Sequence, residues 1–214
     1  GLLIIVLQLV LINHLSVGPA WLSPALVVAI MIPIWVETTI SRRLARTAVT
    51  ALDREIVAMH RRRIWWLILA LAAIVSLTNG LALFNLVRAL LASAPQNGRS
   101  LLLDSLNIWA TNVIAFALWY WALDRGGPAM QALNQRVVPE FAFQFAPPSE
   151  PDGTAKTVPA FIDYLFLSFT NSTAFSPTDT LPLSERMKLV MMLQASLSLL
   201  TVALVAARAV GILS

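Results

Sequence analysis

Five apolar runs constrain this chain more than anything else in it, because a helix that crosses a bilayer needs about 20 mostly apolar residues. The runs lie at Gly1–Ser16, Trp21–Val36, Ile64–Ala92, Leu101–Leu123 and Met187–Leu213. The first opens at Gly1, inside the run and without a methionine, which predicts a start further upstream. A sixth stretch, Pro159 to Phe175, is apolar but short, and it carries Asp163. Of the 214 residues, 58% are hydrophobic and 12% charged, against about 25% charged in a soluble domain. An ordinary soluble enzyme, a disordered chain and a collagen-like chain are excluded. The expected class is all-α, a polytopic transmembrane bundle of five spans plus one re-entrant helix, or of six spans. With no cysteine, disulfides, zinc–thiolate sites and cysteine nucleophiles are excluded as well.

The runs divide the chain into a hairpin over 1–40, a basic segment over 41–63, a second hairpin over 64–123, a linker over 124–158 and a C-terminal module over 159–214. Tryptophans mark the boundaries: Trp21 and Trp35, Trp65 and Trp66, Trp119 and Trp121 bracket spans, and only Trp109 lies well inside one. Indoles favour the headgroup level, where the ring is buried and the N–H stays wet. The segment from Ser41 to Arg63 holds Arg42, Arg43, Arg46, Arg54, Arg61, Arg62 and Arg63 against Asp53 and Glu55. The positive-inside rule places this belt in the cytoplasm. Leu44, Ala48, Leu52, Ile56 and Met59 recur at helical spacing, so the segment reads as an amphipathic helix on the inner membrane surface. It is either a topology signal or a site for anionic lipid. The linker is broken by Gly126, Gly127 and several prolines, and Phe141, Phe143 and Phe145 alternate as an extended piece would.

Polar residues inside spans need partners or a wet surface. Counting outward from the short loop after Ala92, Arg88 and Asp104 fall at one depth, and Asn85 and Asn107 one turn deeper. An Arg88–Asp104 ion pair backed by an Asn85–Asn107 contact is expected to staple the hairpin. In the last run Met187, Met191, Gln194, Ser198, Thr201, Val205, Arg208 and Ile212 follow 4,3 spacing. That stripe either lines water or hydrogen-bonds to another helix. It also fits a helix meeting copies of itself. Ser184 and Glu185 read as the cap and first turn of that helix. His14 and His60 are isolated and show no metal spacing. No catalytic residue, metal or cofactor is expected, and the chain does not read as an enzyme.

The run from Phe161 to Thr173, followed by Asp179 to Pro182 and the long helix from Arg186, resembles the pore helix, filter exit and inner helix of tetrameric potassium channels. The resemblance implies a pore-domain fold and a homotetramer. The pore segment would be Thr173, Ala174, Phe175, Ser176, Pro177, Thr178 and Asp179, with Gln194, Ser198 and Thr201 lining a cavity and Asp179 forming an acidic ring. The family's filter uses glycines, yet none occurs here between Gly153 and Gly211, and Pro177 fixes its φ. Potassium selectivity by carbonyl coordination is therefore not expected. The C-terminal half, including Leu118 to Pro128 and Ser176 to Thr180, also resembles an uncharacterised bacterial multi-pass membrane family, which implies no activity.

Two functional readings follow. One is an ion-channel-like oligomer, non-selective or of undefined selectivity, with inorganic ions as partners. The other is a non-conducting scaffold or accessory subunit that retains the pore-domain fold. Either lies in the cell membrane, of bacterial inner-membrane type, with the bilayer and no nucleic acid as partner. In the channel family the linker before the pore helix is extracellular, which would carry Arg61–Arg63 outside. Keeping that cluster inside requires either an inverted pore-like segment or a full crossing by Pro159–Phe175.

Overall fold

The computed structural model describes residues 51–91, 98–124, 139–143, 159–173 and 180–213, together with Ile32, Val36, Thr39 and Ile40, which are helical. The first two expected spans otherwise lie outside the described residues. The elements bounded among the described residues are α1 (Ala51–Leu91), α2 (Gly98–Leu123), β1 (Phe141–Phe143), α3 (Phe161–Ser172), β2 (Thr180–Pro182) and α4 (Glu185–Leu213). Among the described residues three stretches, Ile56–Leu90, Leu102–Leu123 and Glu185–Ala206, are long and apolar enough to cross a membrane.

α1 has 41 residues, about 61 Å at 1.5 Å per residue, and so is about twice as long as the hydrocarbon core is thick. Its length corrects one expectation. Ala51–Arg63 is the first part of a continuous helix that includes the apolar run, and not a separate helix lying on a surface. The absence of glycine or proline between Ala51 and Asn79 explains this, since nothing interrupts the ladder.

α1 and α2 are antiparallel, as their short connection requires. Trp65 Nε1 donates to Ala122 O at 2.7 Å near one end, and Asn79 Nδ2 donates to Ile108 O at 3.1 Å further along. Between these points Leu71, Ala72 and Val75 pack on Ile114, Ala115 and Leu118. Small residues such as Ala72, Ala115, Ala117 and Ala122, all buried, let the backbones approach. In an apolar solvent it is close packing of this kind that holds helices together. Trp119 Nε1 likewise donates to Ser76 Oγ at 3.0 Å. Trp65 and Trp119 thus direct their N–H groups to the protein rather than to wet headgroups.

α3 runs back along α2. Its Phe161 ring meets Trp121 edge-on at 5.5 Å and its Phe169 ring meets Trp109 at 5.7 Å. The chain returns at β2, which pairs antiparallel with β1 in the register Phe141↔Pro182, Ala142↔Leu181, Phe143↔Thr180. The alternation of Phe141 and Phe143 is therefore that of a strand, and both rings are buried against Tyr120, Tyr164, Met187 and Met191. α4 begins where the sequence places it. Ser184 Oγ accepts the Met187 amide at 3.3 Å, and its carbonyl accepts the Lys188 amide at 3.2 Å. Ser184→Ala is expected to lower stability by about 1 kcal/mol, read as a small drop in the thermal midpoint of detergent-solubilised protein with the helix content unchanged.

Candidate functional site

The polar residues of α4 converge on one place. Gln194 is 0% exposed, Ser198 1% and Thr201 2%, so a single face of α4 is turned wholly into the protein. Gln194 Nε2 donates to Ser168 O at 2.9 Å, Ser168 Oγ at 2.7 Å and Ser172 Oγ at 2.6 Å. Its Oε1 accepts from Tyr120 OH and, at 3.0 Å, from Asn171 Nδ2. Both donor hydrogens and both acceptor lone pairs of this amide are thereby used. Asn171 Nδ2 also reaches Met191 O at 3.0 Å, and Ser168 Oγ donates to Val113 O at 2.6 Å. One turn further along α4, Ser198 Oγ accepts from Asn112 Nδ2 at 2.9 Å. The network ties α3 to α2 and α4 together.

A second junction closes the end of this assembly. Asp124, directly after α2, is 0% exposed. Its Oδ1 accepts the Glu140 amide at 2.7 Å and its Oδ2 accepts Tyr164 OH at 2.6 Å. One carboxylate thus fastens the end of α2 to the entry of β1 and to the first turns of α3. Leu183 N donates to Glu140 O at 2.9 Å, continuing the tie to the residue before the α4 cap. Asp163, the acidic residue of this apolar run, has a local role: its Oδ2 accepts the Ala160 amide at 2.7 Å at the start of α3.

α3 has 12 residues, about 18 Å, which is well short of a bilayer core. Its start, held by Tyr164, and the β1–β2 ribbon, whose second strand follows it, are both tied to Asp124 and so lie at the same end of α2. The chain enters beside α2 and comes back to the level at which it entered.

The expected site residues fall as follows. Thr173 ends α3, its amide donating to Phe169 O at 3.1 Å; Ala174, Phe175, Ser176, Pro177, Thr178 and Asp179 lie outside the described residues. Gln194, Ser198 and Thr201, expected either to line a cavity or to bond to a neighbouring helix, are buried and hydrogen-bond within the protein's own helices. Spacing put them on one stripe, but which neighbour the stripe faces depends on where α2 and α3 pack.

Arg88 is exposed, with its guanidinium 5.8 Å from the Phe84 ring centre on its own helix, whereas Asp104 is buried in α2. Counting from a loop fixes the depth of Arg88 and Asp104 but not their direction around the helix, and the contact that Arg88 shows is this cation–π one. Asn107 Oδ1 accepts from Thr111 Oγ1 at 3.4 Å within α2. Of the basic belt, Arg62 and Arg63 are exposed and Arg61 half-buried on α1. Arg54 lies in α1, and Arg42, Arg43 and Arg46 fall outside the described residues.

The residues that spacing missed are Tyr120, Asp124, Asn171 and Tyr164. A signal was present: the chain has only two tyrosines, and a buried tyrosine requires a partner for its hydroxyl. Among the described residues, no three His, Cys, Asp or Glu side chains come together as a metal site. Compared with protein-family models, curated proteins and solved structures, the chain matches none.

Proposed function

We propose that this chain is a multi-pass integral membrane protein that keeps a pore-domain-like arrangement but works as a non-conducting scaffold or accessory subunit. The supporting observation is the burial of Gln194, Ser198 and Thr201 inside the protein, where Gln194 fastens α4 to α2 and α3 and Ser198 fastens it to α2. Ion passage needs carbonyl rings, charged rings or a hydrated cavity, and the polar face of α4 is engaged in helix fastening instead. The face of α4 left exposed is apolar, with Leu189, Met192, Leu199 and Val202 along it, a surface suited to lipid or to another apolar helix.

In this reading the fold has five spans, two of them from the N-terminal 40 residues, and α3 is re-entrant. Its membrane is the bacterial inner membrane. Arg61–Arg63 stand at the cytoplasmic face by the positive-inside rule. The Trp65–Ala122 hydrogen bond and the Asp124 junction then carry the entry of α3 to that face too. The pore-like segment is inverted relative to the channels it resembles.

The test is flux from proteoliposomes containing protein with its native N-terminus. No leak of sodium, potassium or calcium above empty vesicles is expected. A cation leak that scales with protein content would overturn the scaffold reading in favour of the second one, a homotetrameric channel-like pore. That alternative is favoured by the order long helix, short helix, long helix in α2, α3 and α4.

A further inference from the structure

A groove runs down the outside of the α1–α2–α4 packing, with a volume of about 480 Å³, within the range of small-molecule sites. α1 lines it with Ala73, Leu77 and Gly80, α2 with Ile108 and Leu123, and α4 with Leu197. Its polar lining residues already bond to protein. Ser76 Oγ accepts from Trp119, Asn79 donates to Ile108 O, Asn112 donates to Ser198 Oγ, and Thr201 donates to Leu197 O. What faces the groove is therefore mainly hydrocarbon.

A basic residue stands further along α1, beyond the end of the groove. Arg62 is exposed, and Ala73 and Gly80 lie three and five turns below it on the same side of α1, about 17 and 27 Å away. Trp66, one turn below Arg62, is 56% exposed with its ring edge-on to Trp65 at 4.8 Å. Leu123, at the groove's upper wall, follows Ala122, whose carbonyl accepts the Trp65 N–H at 2.7 Å. The apolar channel thus begins at the level of the tryptophan pair and descends from beneath the arginine.

We propose that Arg62, Trp66 and this groove form a binding site for one anionic phospholipid of the bilayer, with the phosphate at Arg62, the glycerol region against Trp66 and one acyl chain in the groove. The proposal rests on the chain's being membrane-embedded, but not on whether it conducts. The charge selects the ligand: an acyl chain accounts for the apolar walls but not for a cation and an exposed indole stacked at their mouth. A guanidinium pairs with phosphate through directed hydrogen bonds, and basic pockets at the cytoplasmic side hold acidic headgroups.

Native mass spectrometry of the full chain in detergent tests this, with phosphatidylglycerol, phosphatidylcholine or inorganic phosphate added separately. Phosphatidylglycerol is expected to bind more tightly than phosphatidylcholine, and phosphate alone not at all. Arg62→Gln should weaken phosphatidylglycerol about five-fold, since a basic residue near the surface contributes about 1 kcal/mol, and leave phosphatidylcholine unchanged. A Cβ at Gly80 would meet no atom within 4 Å, so the helix accepts a side chain there, and Gly80→Leu, which extends one into the groove, should weaken both lipids.

Equal binding of the two lipids by wild type, or an Arg62→Gln variant that keeps the preference, would overturn the proposal. So would binding of phosphate alone with the same Arg62 dependence. The chain has no cysteine, so a fluorophore on Leu77→Cys reports the groove alone. Quenching by nitroxide lipids is expected; full protection would mean that the chain's own residues 1–31 fill the groove, and would also overturn it. Release of the protein from membranes by alkaline carbonate would instead refute the membrane reading, which keeps the two failures apart.

Discussion

Gln194→Leu should lower the stability of the C-terminal assembly by about 3 kcal/mol while leaving the three long helices formed. The shape of the side chain is nearly kept, so the loss is polar. Tyr120, Asn171, Ser168 and Ser172 each lose a partner. A buried group left without a hydrogen bond costs about 1–3 kcal/mol, whereas side-chain hydrogen bonds between membrane helices average about 0.6 kcal/mol. The two figures bracket the outcome. Ser168 keeps its bond to Val113 O, and Asn171 keeps Met191 O, so the penalty concentrates on Tyr120 and Ser172. In a domain of this size about 3 kcal/mol corresponds to roughly 6–12 °C in thermal midpoint. Tyr120→Phe alone should lose less, and the double variant less than the sum, because the residues share one bond. A strictly additive double variant would refute the network.

Asp124→Ala carries the second large effect, about 3–5 kcal/mol. The two groups it abandons, the Glu140 amide and the Tyr164 hydroxyl, are held by a carboxylate, and bonds to charged groups contribute about 1.5–3 kcal/mol each. Asp124→Asn keeps one acceptor oxygen and is expected to lose about half as much. The damage is local first: the β1–β2 ribbon should open before the helices do. Hydrogen exchange at Ala142 and Leu181, which face each other in the ribbon, reads this directly. Unchanged protection there in Asp124→Ala would show that the ribbon holds without the carboxylate.

Why the first effect depends on Gln194 and the second on Asp124 marks the limit of local pattern. The ends of α2 and α4 were legible because the bilayer demands uninterrupted apolar length, and Leu101–Leu123 and Met187–Leu213 supply it. The strand at Phe141 and Phe143 was legible from alternation, and the α4 start from Ser184. For Arg88 the loop count gave depth but no azimuth, and its contact with Phe84 on its own helix was not legible from it. Asp124 carried no local signal at all, since its partners lie 16 and 40 residues further on.

The sequence by itself determined that this is a helical chain with segments suited to a membrane, where α2 and α4 lie, and that no glycine stands between Gly153 and Gly211 to build a filter. Those properties depend on composition and spacing along one helix or strand. Only the tertiary structure decided that the polar stripe of α4 faces inward, that the chain after α3 is back at β2 beside the end of α2 where α3 began, and that α1, α2 and α4 leave an apolar groove between them. Each of these is a relation between elements. Helical periodicity fixes which residues share a face, and packing alone fixes what that face meets.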